Sequence, residues 1–314
     1  MRYCLEQGYE VLGTSRSEES ARCFLPYRWL PTGLLRGFRF VRCDLNHDVD
    51  QLIDTLTEFR PPWIVNFAAQ SMVAESWQNP DHWYRTNVVA NVRLHEKIRR
   101  FDFIKKYVHV STPEVYGNCT GKVTENAPFN PSTPYAASRA ACDLHLMTFF
   151  RNYRFPVVFT RAANVYGPGQ QLYRIIPRTI LFIKIGRKLQ LHGGGHSVRS
   201  FIHVRDVADG TLRVASLGSP GEVYHFSTSH SLSIRELVEL ICRRMGVDLE
   251  QVTEDVGDRP GKDSAYLLDS SKARQTLGWT DTIELEKGID ETIAWVSENL
   301  KELQKRPFDY IHKT

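Results

Sequence analysis

The feature that most restricts this chain is a rhythm in its first half, where short apolar runs alternate with longer stretches at helical spacing. Tyr9–Thr14, Phe38–Asp44, Trp63–Ala69, Tyr107–Ser111 and Pro156–Arg161 read as strands, and Val49–Phe59, Asn79–Arg100 and Pro134–Tyr153 read as helices. A strand that is apolar on both faces has no side to turn to water, so it must lie in a sheet covered twice. Alternation with helices makes that sheet parallel, and the predicted fold class is α/β with a doubly wound parallel sheet.

Beyond about Tyr166 the elements shorten and Gly and Pro punctuate them, as in Tyr166-Gly167-Pro168-Gly169, His192-Gly193-Gly194-Gly195-His196 and Gly257-Asp258-Arg259-Pro260-Gly261. Residues 1–165 therefore read as the sheet domain and residues 166–314 mainly as a smaller α+β lobe, with some later segments free to return to the sheet. Ligand clefts in such proteins lie at the carboxyl ends of the parallel strands.

Composition excludes several partners. Lys and Arg number 40 against 36 Asp and Glu, a formal charge of +4, too diffuse to imply nucleic acid. No apolar run approaches the ~18–20 residues of a membrane span, and the first residues carry no signal-peptide core. The six cysteines include no CxxC pair, so neither a zinc ribbon nor a disulfide framework is indicated and no metal is expected. The expected location is the cytoplasm.

Two motifs carry chemistry. Tyr135 and Arg139, just after Pro134, are four residues apart on one helical face, and a cation beside a phenol favours the phenolate, a usable base. Ser111-Thr112-Pro113-Glu114-Val115-Tyr116-Gly117 follows an apolar strand and brings two hydroxyls and a carboxylate to its carboxyl end. Each alone fits a surface pair or a helix cap. Both, however, belong to the edge where one cleft is expected. The two histidines of His192–His196 read as part of a substrate-side loop.

These segments, with Asn66-Phe67-Ala68-Ala69-Gln70-Ser71, Arg161–Gly169, Arg199–Val207, Asp258–Asp263 and Leu277-Gly278-Trp279, occur in the order and spacing of the extended short-chain dehydrogenase/reductase family. The chain most resembles its nucleotide-sugar 4,6-dehydratases, of the dTDP-glucose and GDP-mannose types. The resemblance implies a Rossmann-like domain, a nicotinamide cofactor, a nucleotide-diphosphate sugar as substrate and a homodimer. By it, Tyr135 removes the proton of the sugar C4 hydroxyl, Thr112 bonds the same oxygen, Glu114 takes the C5 proton and Arg139 stands where the family has Lys. Phe67, Ala68, Ala69 and Gln70 would line the cofactor, with Asp44 and Leu45 holding its adenine. Ser71, Asn164, Arg199 and Arg259 match substrate-side positions. Ser15 and Arg16, at the end of the strand where an acid would select NAD, favour NADP.

Three departures from the family follow. Met1–Gln7 reads as the tail of a helix, so the first strand and GxxGxxG turn expected before it, roughly 15–20 residues, are missing from this sequence. Arg139 differs from Lys in bulk and donor geometry. Pro113 occupies the place of the Asp with which dTDP-glucose enzymes protonate the departing hydroxyl. Two other functions stay open: a UDP-sugar 4-epimerase or decarboxylase on the same fold, and a non-catalytic nucleotide-sugar-binding relative.

Overall fold

A computed structural model describes residues 1–119, 121–257 and 267–313. Strands β1 (Val11–Ser15) and β2 (Phe38–Arg42) form a parallel pair with Ser15 opposite Arg42. Strands β3 (Trp63–Asn66) and β4 (Lys106–Val110) belong to a four-stranded sheet in which β4 lies between β3 and Val157–Ala162. Val223–Phe226 closes the far side, and every pairing is parallel. The two pieces meet where the Tyr9 and Trp63 rings approach to 5.5 Å at the amino ends of β1 and β3.

The other predicted strands shift by one or two residues at their ends, and three elements differ from their sequence-predicted extents for a reason the structure shows. β3 stops at Asn66, because the Asn66 side chain turns back to accept from the Ala68 amide at 2.9 Å. β2 stops at Arg42, and Asp44 instead shapes the following turn by accepting from the Asn46 amide at 2.9 Å. The helix expected over 79–100 is α-helical at Pro80–Tyr84 and Asn91–Ile98 but π-helical at Arg85–Ala90. π-Segments recur at functional sites, and this one turns Asn87 and Asn91 inward, both fully buried.

Period-two alternation sorts the sheet into two apolar layers. Tyr107, Val157 and Phe159 join Leu52, Leu94 and Leu146 from the helices Val49–Phe59, Asn91–Ile98 and Pro134–Tyr153. On the other side Val108, Val158 and Phe226 join Val214 of helix Val204–Leu217 and Trp279. A separate core of Ile176, Ile180, Leu237, Ile241, Ile289 and Trp295 unites helices Ile175–Lys184, Ile234–Met245 and Leu285–Glu298. Short paired strands edge this lobe, including Asn164–Tyr166 with Phe201–His203. Among the described residues no helix is long and apolar enough to cross a membrane.

Within this lobe, helix Leu285–Glu298 closes on strand Asn164–Tyr166 at Gly288, where an added Cβ would lie 2.2 Å from Tyr166 Oη and 2.8 Å from Cζ. Tyr166 is only 2% exposed and cannot swing clear. Gly288→Ala is therefore expected to lower unfolding stability by about 1–3 kcal/mol, although Ala is the better helix former by up to ~1 kcal/mol. A rise in melting temperature would show that the strand and helix can separate without loss.

Candidate functional site

The site is built at the carboxyl end of β4. Thr112 caps the 3-10 turn Pro113–Tyr116 by accepting from the Glu114 amide at 3.3 Å. The turn ends at Gly117, whose φ of +65° and whose separation of 2.1 Å between an ideal Cβ and the Asn130 carbonyl oxygen require glycine. Facing it, helix Pro134–Tyr153 starts with Pro134 in its first turn and Thr133 accepting from the Ala136 amide at 3.1 Å, the expected chemistry of a helix start. Tyr135 follows and is buried.

This arrangement brings Thr112, Glu114, Tyr135 and Arg139 together. Burial pushes the Tyr135 phenol above its ordinary pKa, and Glu114 pushes the same way. Arg139, a hydrogen bond with Thr112, and Arg174 act in the opposite direction. Arg174, at the start of helix Ile175–Lys184, escaped the sequence reading because it lies in a stretch without a motif.

Arg139 is 2% exposed. Its Nη2 donates to the Val110 carbonyl and lies 3.2 Å from His109 Nε2. Burial first, then Arg139 and Arg161, hold His109 well below the usual imidazole pKa, so it is neutral and can accept. Arg139 Nε and Nη1 find no hydrogen-bond partner among the described residues. One helical turn on, Asp143 accepts from Arg161 Nη2 and Ser111 Oγ, each at 2.7 Å.

The loop after β3 is held by buried amides that read as ordinary polar helix positions in sequence. Asn66 Nδ2 donates to Asn91 Oδ1 and Tyr107 Oη, both at 2.7 Å. Asn87 accepts from the Gln70 amide at 2.8 Å and donates to the Gln70 carbonyl at 3.0 Å and Ser138 Oγ at 2.9 Å. The loop consequently presents Phe67, 64% exposed, with Ala68 and Ser71 also exposed and Ala69 half-buried.

Among the substrate-side residues, Asn164 donates its amide to the Ser200 carbonyl at 3.0 Å, beside Arg199, whose Nη1 donates to the Val198 carbonyl at 2.8 Å. Arg259 lies outside the described residues. Asp206, inside the Arg199–Val207 motif, serves the fold rather than a ligand, because its carboxylate accepts from the Thr282 amide and hydroxyl and from the Ile283 amide.

Two of the residues assigned to the cofactor meet an unforeseen neighbour. Arg16 Nη1 and Gln70 Nε2 both donate to the Lys313 carbonyl, at 3.2 and 2.6 Å. The carboxyl ends of β1 and β3 are thus bridged by the end of the chain. Ser15 is exposed nearby, and its Oγ accepts from the Ser17 amide at 3.3 Å. Leu45 packs on the sheet core, and Asn46 Nδ2 donates to Thr86 Oγ1 at 3.1 Å, joining the Asp44 turn to the π-helical segment.

The geometry agrees with what the chain is similar to. A family model described as GDP-mannose 4,6 dehydratase matches residues 1–292. The dTDP-glucose 4,6-dehydratase of Xanthomonas campestris pv. campestris is 35% identical over 280 residues, covering 83% of this chain and 79% of that protein. The structure of the dTDP-glucose 4,6-dehydratase DesIV from Streptomyces venezuelae, with NAD bound, superposes with a TM-score of 0.87 at 31% identity over 96% of this chain and 93% of that one. The UDP-glucose 4-epimerase of Thermotoga maritima, with UDP-glucose, gives a TM-score of 0.84 at 26% identity, covering 95% and 94% of the two chains. With its parallel sheet and the Thr112–Glu114–Tyr135–Arg139 cluster at the sheet's carboxyl edge, the chain belongs to the GDP-mannose 4,6-dehydratase family of nucleotide-sugar short-chain dehydrogenase/reductases.

Proposed function

We propose that this protein converts a nucleoside-diphosphate hexose to its 4-keto-6-deoxy derivative, by oxidation at C4, loss of water across C5–C6 and return of hydride to C6. The observation that carries the reading is a carboxylate, Glu114, set beside a phenol–guanidinium pair at one strand end. A 4-epimerase needs a base at C4 only; a second base is what elimination from C5 requires.

The residues fit a nicotinamide dinucleotide. Arg139 Nε and Nη1 are buried donors awaiting acceptors, and ribose hydroxyls are acceptors of the right kind. When bound, the dinucleotide supplies the hydride acceptor for C4 and the hydride donor for C6. Tyr135 Oη takes the C4 hydroxyl proton while Thr112 hydrogen-bonds the same oxygen. The C4 ketone acidifies C5–H, and Glu114 removes that proton. As C6–O breaks and the C5–C6 double bond forms, Glu114 passes the proton to the departing hydroxyl, since Pro113 has none to give. Hydride delivery at C6 leaves the C4 ketone as its enolate, which takes a proton at C5 from solvent by way of Glu114, while Tyr135 releases to solvent the proton it took from the C4 hydroxyl, so both groups return to their starting states.

Ser15 and Arg16 support NADP over NAD, with hydroxyl and guanidinium where an acid would bind an unphosphorylated ribose. Exposed Tyr84, Val89 and Leu144, on the π-interrupted helix and on helix Pro134–Tyr153, support a homodimer through these helices.

The test is incubation with dTDP-glucose, UDP-glucose, CDP-glucose and GDP-mannose plus NAD or NADP, followed by mass spectrometry. Loss of water from one donor is expected; a 4-epimer of unchanged mass would move the reading to epimerase. Glu114→Gln should retain nucleotide-sugar binding yet slow C5 deuterium exchange by about two orders of magnitude or more, and undiminished exchange would remove Glu114 from the mechanism. The phenol must be ionised to act, so activity should fall as pH drops below its pKa. Arg139→Met removes the cation that lowers that pKa and should move the acid limb upward by roughly one unit, whereas Arg139→Lys should leave it near its original pH. Identical limbs in the two variants would disconnect Arg139 from the base.

A further inference from the structure

The last residues of the chain are held against the carboxyl ends of β1 and β3 by several independent contacts. Tyr310 packs edge-on against Tyr173, ring centroids 5.4 Å apart, and its hydroxyl reaches Gln70 Oε1 at 3.5 Å. His312 Nε2 lies 2.8 Å from His82 Nδ1, and its ring runs nearly parallel to that of buried Trp83 with centroids 5.1 Å apart. The Lys313 carbonyl then accepts from both Arg16 and Gln70. With its backbone fixed in this way, Lys313 extends its Nζ to Ser17 Oγ at 2.9 Å.

We propose that Lys313 is a specificity-determining residue of the dinucleotide site, which together with Arg16, Ser15 and Ser17 binds the 2′-phosphate of a phosphorylated adenine ribose. The inference rests on the dinucleotide reading above and adds to it a residue almost three hundred positions away from the strand it serves. A phosphomonoester carries close to two negative charges at neutral pH and several acceptor oxygens. This stretch of surface answers with an ammonium from Lys313, the guanidinium of Arg16 and the hydroxyls of Ser15 and Ser17. Arg16 spends one donor on the Lys313 carbonyl and has four N–H groups left. Arg42, whose Nε donates to the Arg16 carbonyl at 3.3 Å, adds positive charge, offset by its own ion pair with Glu18 at 3.6 Å. Holding a flexible lysine in one place normally costs entropy on binding. Here the two hydrogen bonds to its carbonyl and the anchored His312 fix its backbone beforehand, which lowers that cost.

The test uses the full chain and two small probes, adenosine 2′,5′-bisphosphate and 5′-AMP, with affinities measured by titration calorimetry. Wild type is expected to prefer the bisphosphate. Lys313→Gln, at an exposed position, should weaken the bisphosphate about five- to tenfold, the effect of losing one charge-assisted contact, and leave 5′-AMP within twofold; Lys313→Arg should restore the preference. A preference unchanged in Lys313→Gln overturns the proposal while leaving the dinucleotide reading standing. Tighter binding of both probes by Lys313→Gln also overturns it, by showing that the segment competes with nucleotide. If wild type binds neither probe, the dinucleotide reading itself fails and this inference falls with it.

Discussion

Arg161 and Asp143 face each other at 2.7 Å with side chains 1% and 2% exposed, and much of the site depends on that pair. Taking two charges out of water is costly, so removing one partner of such a pair commonly costs ~3–5 kcal/mol. Each member also holds a second element. Asp143 accepts from Ser111 Oγ, the first residue after β4. Arg161 donates to Tyr116 Oη and stacks on the rings of Tyr116 and Phe129 at 4.8 and 5.0 Å. Thr112 and Glu114 lie between Ser111 and Tyr116, so the segment that carries them is pinned at both ends to one ion pair. Asp143 sits on the helix that bears Tyr135, which sets the phenol and the carboxylate in one frame.

The same frame governs proton affinity at Tyr135. Burial alone makes the phenolate costly, and Glu114 adds to that cost. Arg139, itself buried, acts against both. Neutral His109 and the Val110 carbonyl supply acceptors for one guanidinium nitrogen, while Nε and Nη1 remain unspent. A lysine would concentrate its charge at one nitrogen; the arginine spreads it over a plane and needs this imidazole beside it. The substitution that looked like a defect in the motif is thus matched by its surroundings.

What could be read locally came from signals that act locally. Thr133-Pro134 starts a helix because the threonine hydroxyl replaces a missing backbone acceptor and the proline needs no amide partner, and the helix runs over Pro134–Tyr153 as the spacing indicates. The apolar runs showed where the central strands lie, since only burial on two faces tolerates them. Strand ends were less legible: Asn66 and Asp44 each turn a side chain back on the main chain, a choice that competes with extension. The π-turn at Arg85–Ala90 left no local trace either. It exists because Asn87 and Asn91 find hydrogen-bond partners on the Gln70 backbone, the Ser138 hydroxyl and the Asn66 side chain, contacts visible only after folding.

The sequence by itself determined the parallel α/β class, the position of Tyr135 and Arg139 on one helical face and the placement of Thr112 and Glu114 after a buried strand. These follow from periodicities of two and 3.6 residues and from cap chemistry. Only the tertiary structure decided that Arg161 and Asp143 lock those segments together, that His109 accommodates Arg139, and that Lys313 reaches Ser17. Each of these joins residues far apart in the chain through burial and charge, and no spacing along a sequence encodes a distance that only packing creates.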